Sequence, residues 1–531
     1  MGAALVALGI LLSRIFGLVR TRVVASAFGV ESIPADAFAA ALRIPNFLQN
    51  LFGEGILSAS FIPVYSGLLG EGRDEDADRL AGAVLAILTL LTAIFVLAGV
   101  LAAPLLVDVI AGGGFAGERR DLTIQLVRII FPGTGLLVLS AWCLGILNSH
   151  RRFFLSYAAP VAWNVAIIAA ILVGRGRSGL DGLAVWAAWG VFAGSVLQLL
   201  VQLPAVLSLV RRITLKVSRK SAELRQVVRN FVPAVLSRGV AQVSAYVDVM
   251  IAGNLPLGAV AALTYAQTIY LLPVSLFGMS ISAAELPEMS RESRLDAGGR
   301  TLPDEEASAA LRARLAAGLR RVAYFVVPSA VALLLLGDVI AGAIYQTGNF
   351  GRESSVYLWA ILAGSSVGLL ATTMGRLHVS AFYALRDART PLRIAVLRIA
   401  ISIALGLTFA FAGPRLLGVD PRWGVAGLTL ASGIGGWVEL AALRRALAAR
   451  VGHTRFGAGF VLRLWLCALS AAAIAWGVKL LAGVELMSPV LLAVLVLGAF
   501  ALTYGATTLA IGIPESRRLV ERLTTRLSRR G

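Results

Sequence analysis

The chain has 531 residues, of which 58% are hydrophobic and only 15% charged, against roughly 45–50% and about 25% in ordinary soluble domains. Water must face most of a soluble protein's surface, so this composition excludes a soluble multidomain enzyme and a disordered chain and specifies a polytopic membrane protein. The 48 Lys and Arg against 29 Asp and Glu, a formal net charge of +19, fit either a nucleic-acid partner or basic cytoplasmic loops, and the placement of the charges decides between them.

A helix needs about 20 mostly apolar residues to cross the hydrocarbon core. Residues 2–28 read as a first span containing Arg14, Arg20 and Arg22. This stretch lacks a basic n-region and runs into arginines rather than a small-residue cleavage site, so it reads as a retained span and not a signal peptide. Residues 35–66 read as a second span, with Asp36, Arg43, Asn46, Gln49, Asn50 and Glu54 inside it and Pro45 and Pro63 interrupting it. Twelve further apolar runs follow at 80–110, 122–147, 157–174, 182–210, 226–253, 259–289, 322–345, 355–385, 392–413, 423–443, 459–482 and 488–513. The expected fold is therefore all-α and polytopic, with fourteen transmembrane helices.

An even number of spans puts both ends on one side. Alternate loops, from 66–79 to the tail at 515–531, carry 33 Lys and Arg, whereas the opposite set carries 7 and the remaining 8 lie within spans. That bias predicts cytoplasmic termini and accounts for most of the positive charge without nucleic acid. The tail ESRRLVERLTTRLSRRG reads as a basic amphipathic segment on anionic lipid.

Sliding the chain on itself by 224 residues brings Leu12-Ser13-Arg14 onto Leu236-Ser237-Arg238, Gly29 onto Gly253 and Pro63 onto Pro287 without a gap. Internal repeats are a common plan of solute-moving membrane proteins. The match predicts two pseudo-symmetric six-helix lobes around a central cavity, spans 1–6 in residues 1–212 and spans 7–12 in residues 213–447. Spans 13 and 14 form an added pair at 448–513, ahead of a basic tail at 514–531. Six helices per repeat keep the lobes in one orientation, so the pseudo-twofold axis runs along the membrane normal.

A charge at the bilayer centre costs about 2.5–3.5 kcal/mol on insertion scales, so such residues face protein or water. On a regular helix Arg22 lies about 80° from Arg14, and Arg20 about 120°. Aiming all three at one point needs a bend near Gly17 or an Arg22 that climbs to the outer interface. Set against Asp36 and Glu54 alone the arginines would be mere neutralisers. Three cations against few anions instead leave net positive charge, which suits a phosphate or pyrophosphate held by guanidinium forks. Broken helices such as the second span are tolerated at membrane depth where they line a wet cavity. In the second lobe Arg238 is the repeat partner of Arg14, and Asp248 reads equally as an ion-holding group or a balancing charge. Arg376 and His378 read equally as a cytoplasmic-edge anchor or a substrate contact, and Lys479 as a cation reaching the outer surface with no further role. Cys143 and Cys467 read as small buried apolar side chains. No catalytic constellation, metal-ligand spacing or nucleotide-cradling loop is present.

The stretches SRIFGLVRTRVVASAFG, ADAFAAALRIPNFLQNLFGEG and FIPVYS, followed by LNSHRRF, PAVLSRGVAQVS and AFYALRDARTP, resemble the signature of the MurJ (MviN) lipid II flippases of the multidrug/oligosaccharidyl-lipid/polysaccharide exporter superfamily. The resemblance covers the whole chain and is most specific in the first two spans. It implies a non-enzymatic transporter of the bacterial inner membrane. This protein would move undecaprenyl-pyrophosphate-linked disaccharide-pentapeptide to the outer leaflet by alternating access, as a monomer, with membrane lipids as its other partners. It implies no cofactor, the energy coming from an ion gradient or the membrane potential, and a groove for the lipid tail at spans 13 and 14. By position Arg14 and Arg20 fall on the two first-span arginines the family needs. Asp36 falls on the acidic residue of its DAF motif, Glu54 on that of its EG motif and Arg43 on a basic position ahead of Pro45-Asn46. The chain departs from the family at Thr21, Gln49 and Thr268, the last two of which replace arginines, and Arg22 and Arg238 are the candidates to substitute for them. The eleventh span has no acidic residue, which argues against a full sodium site. The competing readings are a flippase for another polyprenyl-linked glycan, a drug exporter, which would more often carry carboxylates in its cavity, and a membrane-embedded glycosyltransferase or phosphatase, which would present acidic sets in sizeable loops.

Overall fold

The first helix, α1 (Gly2–Phe28), continues unbroken through Gly17, and the Thr21 hydroxyl donates back to the Gly17 carbonyl at 2.9 Å. In this computed structural model the described residues are 2–52, 54–210, 214–218, 221–292, 305–454, 457–483, 487–518 and 520–521. Among them every regular element is a helix, as the composition predicts. The polar second span is three pieces, α2 (Ile33–Phe52), α3 (Glu54–Ser60) and α4 (Ile62–Gly70), with Pro63 in the first turn of α4. There follow α5 (Asp74–Leu101), α6 (Ala103–Ile110), α7 (Gly117–Ser149), α8 (Phe153–Gly174), α9 (Leu180–Leu209) and α10 (Ala222–Gly253). Next come α11 (Ala259–Pro273), a π-helical turn (Val274–Met279), α12 (Ser280–Glu292), α13 (Glu305–Tyr345) and α14 (Arg352–Ala384). The last are α15 (Arg389–Leu407), a second π-helical turn (Thr408–Ala412), α16 (Gly413–Leu417), α17 (Gly424–Val451), α18 (Ala458–Ala482) and α19 (Pro489–Ala510). Eleven segments among the described residues are long and apolar enough to cross a membrane. The other three expected spans fall on α1, α2–α4 and α10. The expected continuous spans are broken at Ala102 and at the two π-helical turns, where Pro104, Pro273 and Pro414 interrupt the regular ladder.

The chain forms two compact units, residues 1–261 with 347–350, and residues 262–346 with 351–531. In the first, α10 packs against α2, α3 and α6 and therefore groups with the helices before it. Between helices in lipid, apolar burial gives little net drive, so close packing and polar ties hold the bundle. Phe61, Tyr65, Leu80, Trp142 and Ile146 form a dense cluster, inside which the Trp142 indole donates to the Ala81 carbonyl at 3.1 Å. Ser140 donates to Gln202 at 2.8 Å and accepts from Gln198 at 3.0 Å, tying α7 to α9.

Two turns of this unit close onto helix ends far away in sequence. Asn349 donates through its backbone to Ser26 and through its side chain to Ala27, at 2.9 and 2.7 Å, capping α1. The chain leaves α1 through Gly29 at φ +70°, where a side chain would meet the Asn349 carbonyl at 2.8 Å. Correspondingly, the turn after α6 lies on the end of α10, where a Cβ on Gly114 would be 2.2 Å from the Gly253 carbonyl. Gly29 and Gly253 are the pair that the 224-residue offset superposes, and each stands at a helix end against a turn from elsewhere in the chain.

In the second unit, α14 and α17 approach backbone to backbone, with a Cβ on Gly368 only 2.4 Å from the Gly433 Cα, the small-residue packing of membrane helices. Helix α13 bends at Leu336 (φ −125°, ψ 17°). The carbonyls opened by the bend are taken up: Trp359 of α14 donates to Leu334 at 2.8 Å and Trp476 of α18 to Leu335 at 3.0 Å. Lys479, expected to reach the outer surface without further role, instead binds Asp338 of α13 at 2.6 Å with only 13% of its side chain exposed. A carboxylate two residues past the bend captures the cation, so α18 is pinned to α13.

Between α14 and α15, Asp387 accepts from the Arg389 and Thr390 N–H groups at 2.9 and 3.0 Å, from the Thr390 hydroxyl at 2.6 Å and from Arg450 at 2.6 Å. Burial pushes its carboxyl up, but these donors outweigh burial and hold it below the usual aspartate range. A depressed folded-state value means stability that is complete above the unfolded value near 3.9 and lost as the pH falls through the folded one. Asp387→Asn is expected to destabilise the protein by about 1–2 kcal/mol at neutral pH and to flatten the fall of melting temperature below about pH 4. A melting series of the solubilised protein across pH checks this, and parallel curves for the two proteins would refute it.

Candidate functional site

Asp36 sits in the first turn of α2, at a start fixed by Ser32, whose hydroxyl accepts from the Ala35 N–H at 3.2 Å and donates to the Phe28 carbonyl at 2.7 Å. Its side chain is fully enclosed. One oxygen accepts from Arg119 of α7 at 2.5 Å and from the Gly258 N–H at 2.8 Å, and the other from the Ala261 N–H at 2.8 Å. The last two are backbone donors at the N-terminus of α11, where a negative charge also complements the helix dipole. The Arg119 guanidinium in turn covers the Phe115 ring, 3.7 Å from its centroid. Asp36, expected to contact a head group, thus lies away from open space and ties α2, α7 and the start of α11 together. Its partner is not a first-span arginine but Arg119, which reads from sequence as an ordinary loop cation.

The remaining expected residues separate into two groups. On α1, Arg14 is exposed and Arg20 and Arg22 are half-buried, and the Arg20 guanidinium lies over the Trp163 ring of α8 at 4.8 Å. An arginine stacked on an aromatic face keeps its N–H fork pointing outward for a second partner. On α2, Arg43 is half-buried; its carbonyl accepts from the Tyr246 hydroxyl of α10 at 2.7 Å, and its guanidinium is attracted by Asp248. The structure therefore sets Asp248 within the electrostatic reach of Arg43, a relation that no spacing within one helix reveals. Asn46 is half-buried nearby in the same helix. The side chains of Gln49, Glu54 and Arg238 lie outside the described residues.

The other singled-out polar residues have structural partners. His378 is buried and its Nδ1 donates to the Met374 carbonyl at 2.9 Å; Cys143 and Cys467 are buried free thiols. His150, at the end of α7, meets the Tyr65 hydroxyl at 3.1 Å through Nε2, and burial holds its imidazole below the usual histidine value.

A family model for the lipid II flippase MurJ matches residues 24–499. A probable lipid II flippase MurJ of Rhizobium meliloti is 30% identical over 431 residues, covering 80% of this chain and 76% of that protein. The lipid II flippase MurJ of Burkholderia cenocepacia is 31% identical over 430 residues, covering 80% and 79%. A probable lipid II flippase MurJ of Haemophilus influenzae is 27% identical over 525 residues, covering 96% and 99%. Among solved structures, a lipid II flippase MurJ in an inward closed conformation aligns over 97% of this chain and 100% of its own with a TM-score of 0.75 at 22% identity. An inward-facing multidrug MATE transporter of the MOP superfamily aligns over 82% and 95% with a TM-score of 0.63 at 17% identity. These two likenesses bear on the fold.

Proposed function

The chain belongs to the lipid II flippase MurJ family, and we propose from that premise that it carries lipid II, the polyprenyl-pyrophosphate-linked peptidoglycan precursor, from the inner to the outer leaflet of a bacterial inner membrane. It is a multi-pass membrane transporter and not an enzyme. The observation that carries the reading is the cation set of α1, Arg14, Arg20 and Arg22, three guanidinium groups within nine residues of one apolar helix, with Arg14 exposed and Arg20 stacked on Trp163. A pyrophosphate presents several charged oxygens, and guanidinium forks match them two at a time.

In this reading Arg14 and Arg20 bind the head group, Arg43 with Asp248 tunes the positive field beside them, and Asp36 with Arg119 is a structural lock. Fourteen spans with cytoplasmic termini follow from the bias of 33 to 7 cations between loop sets. The repeat supports lobes at 1–212 and 213–447 that alternate around the head-group path, with 448–513 serving the lipid tail. A monomer suffices for this cycle, and an ion gradient or the membrane potential, acting without a cofactor, drives it.

The test is the leaflet distribution of lipid II in cells depleted of their own flippase and supplied with this chain. Lipid II is expected to become accessible at the outer face and growth to resume. Lipid II retained inside while the chain is present in the membrane would overturn the assignment.

A further inference from the structure

Helix α7 wears a polar stripe where a membrane helix should be apolar. Asp121, Gln125 and Arg128 are all exposed, while Leu122, Ile124, Leu126, Val127 and Ile130 between them are buried. At four and three residues apart, the three stripe positions fall within about 60° of one another on a helix. The exposed face of α5 has the same spacing with opposite chemistry, Leu90, Ile94, Leu97 and Leu101, each more than half exposed. That is the face lipid acyl chains accept. The α7 stripe needs a different partner.

Direction follows from Arg119. It reaches toward α2 to bind Asp36, and Arg128, nine residues on, points about 180° away. The stripe is thus on the side of α7 turned from α2, not on the side of the Asp36 lock. It forms one wall of a groove of about 570 Å³ completed by Pro104 of α6 and Val185 and Trp189 of α9, with Trp189 53% exposed. Depth follows from Arg120, which makes a two-pronged bond to Asp108 at 2.6 and 2.9 Å near the helix start. Arg128 is two turns further in, about 12 Å along the axis. Asp121 has its ion pair with Arg120, at 4.0 Å. Among the described residues the Arg128 guanidinium meets no hydrogen-bond or ion-pair partner.

We propose that the groove between α6, α7 and α9 binds the phosphate of an anionic membrane phospholipid. Arg128 takes the phosphate oxygens in a fork, Gln125 donates to the ester or glycerol oxygens, and the acyl chains lie along Val185 and Trp189. The long arginine stem allows its charge to reach up from the apolar depth toward a head group, and tryptophan favours that boundary zone. The open apolar walls fit a lipid and not a soluble anion, which would leave them uncovered. This site is separate from the α1 cations and independent of the proposed transport activity.

The test uses the purified full chain in phosphatidylcholine nanodiscs doped with phosphatidylglycerol, released into the gas phase for native mass spectrometry. The wild-type protein is expected to retain phosphatidylglycerol over phosphatidylcholine. Arg128→Gln should lower that retention at least fivefold, and Arg128→Lys should keep it within about twofold. Gln125→Glu, a surface change that sets a negative charge one turn away, should produce the same loss and keeps the test valid if Arg128→Gln does not accumulate. Inorganic phosphate added at millimolar concentration should leave the bound lipid in place. Equal retention of the two lipids, undiminished phosphatidylglycerol in both Arg128→Gln and Gln125→Glu, or displacement by inorganic phosphate would each overturn the proposal.

Discussion

Asp36→Ala is expected to lower the stability of the protein by about 3–5 kcal/mol, the range found when one partner of a buried ion pair is removed. The change strands the Arg119 guanidinium against the Phe115 ring and removes the acceptor for the Gly258 and Ala261 N–H groups. Its charge attraction and its hydrogen bonds are separable. Asp36→Asn keeps an acceptor oxygen but no charge, so its loss should be intermediate. Joining it to Arg119→Gln should recover most of the difference, because a neutral pair leaves no unbalanced charge inside. Thermal unfolding of the four proteins in one detergent measures the set. A melting temperature for Asp36→Ala equal to that of the parent would show that the enclosed carboxylate contributes nothing.

The opposite profile is expected for Arg14 and Arg20. Both replaced by alanine should abolish the appearance of lipid II at the outer face, while the protein accumulates in the membrane and melts near the parent value. Hydrogen bonds to charged groups contribute about 1.5–3 kcal/mol each, so losing two forks weakens head-group binding by roughly a hundredfold or more. Arg14 is exposed and Arg20 leans on Trp163, which is why stability should change little. Arg20→Lys is the finer probe. It keeps the charge but loses the planar fork and the stacking, and transport should fall without vanishing. Undiminished growth of a depleted strain on the double alanine protein would remove these residues from the head-group site.

Much of the architecture is legible in the chain because its signals are local. Apolar runs of sufficient length mark the spans, and Pro63 marks the start of α4 within the broken second span. What escapes are partnerships across helices. Arg119 stands beside Glu118 and Arg120 in a stretch that reads as a loop, and only the fold carries Asp36 to it. Lys479 is a lone cation near a helix end, and the Asp338 it binds is 141 residues away. The clue in both cases is the acidic residue itself: inside an apolar run it obliges a cation somewhere near it. Leu336 is an ordinary helix former and gives no sign of the bend in α13; the signal beside it is Gly337, where a Cβ would lie 2.7 Å from the Trp359 ring.

That bend gives α13, α14 and α18 a common mechanical fate. Straightening α13 at Leu336 would return the Leu334 and Leu335 carbonyls to the helix ladder and orphan the Trp359 and Trp476 N–H groups at the same moment. The two donors come from different helices, so neither can be released without leaving the other under load. The angle of α13 is accordingly a shared variable of three helices. Helix α18 is thereby built into the second unit through Trp476 and Lys479, and is not cladding around it.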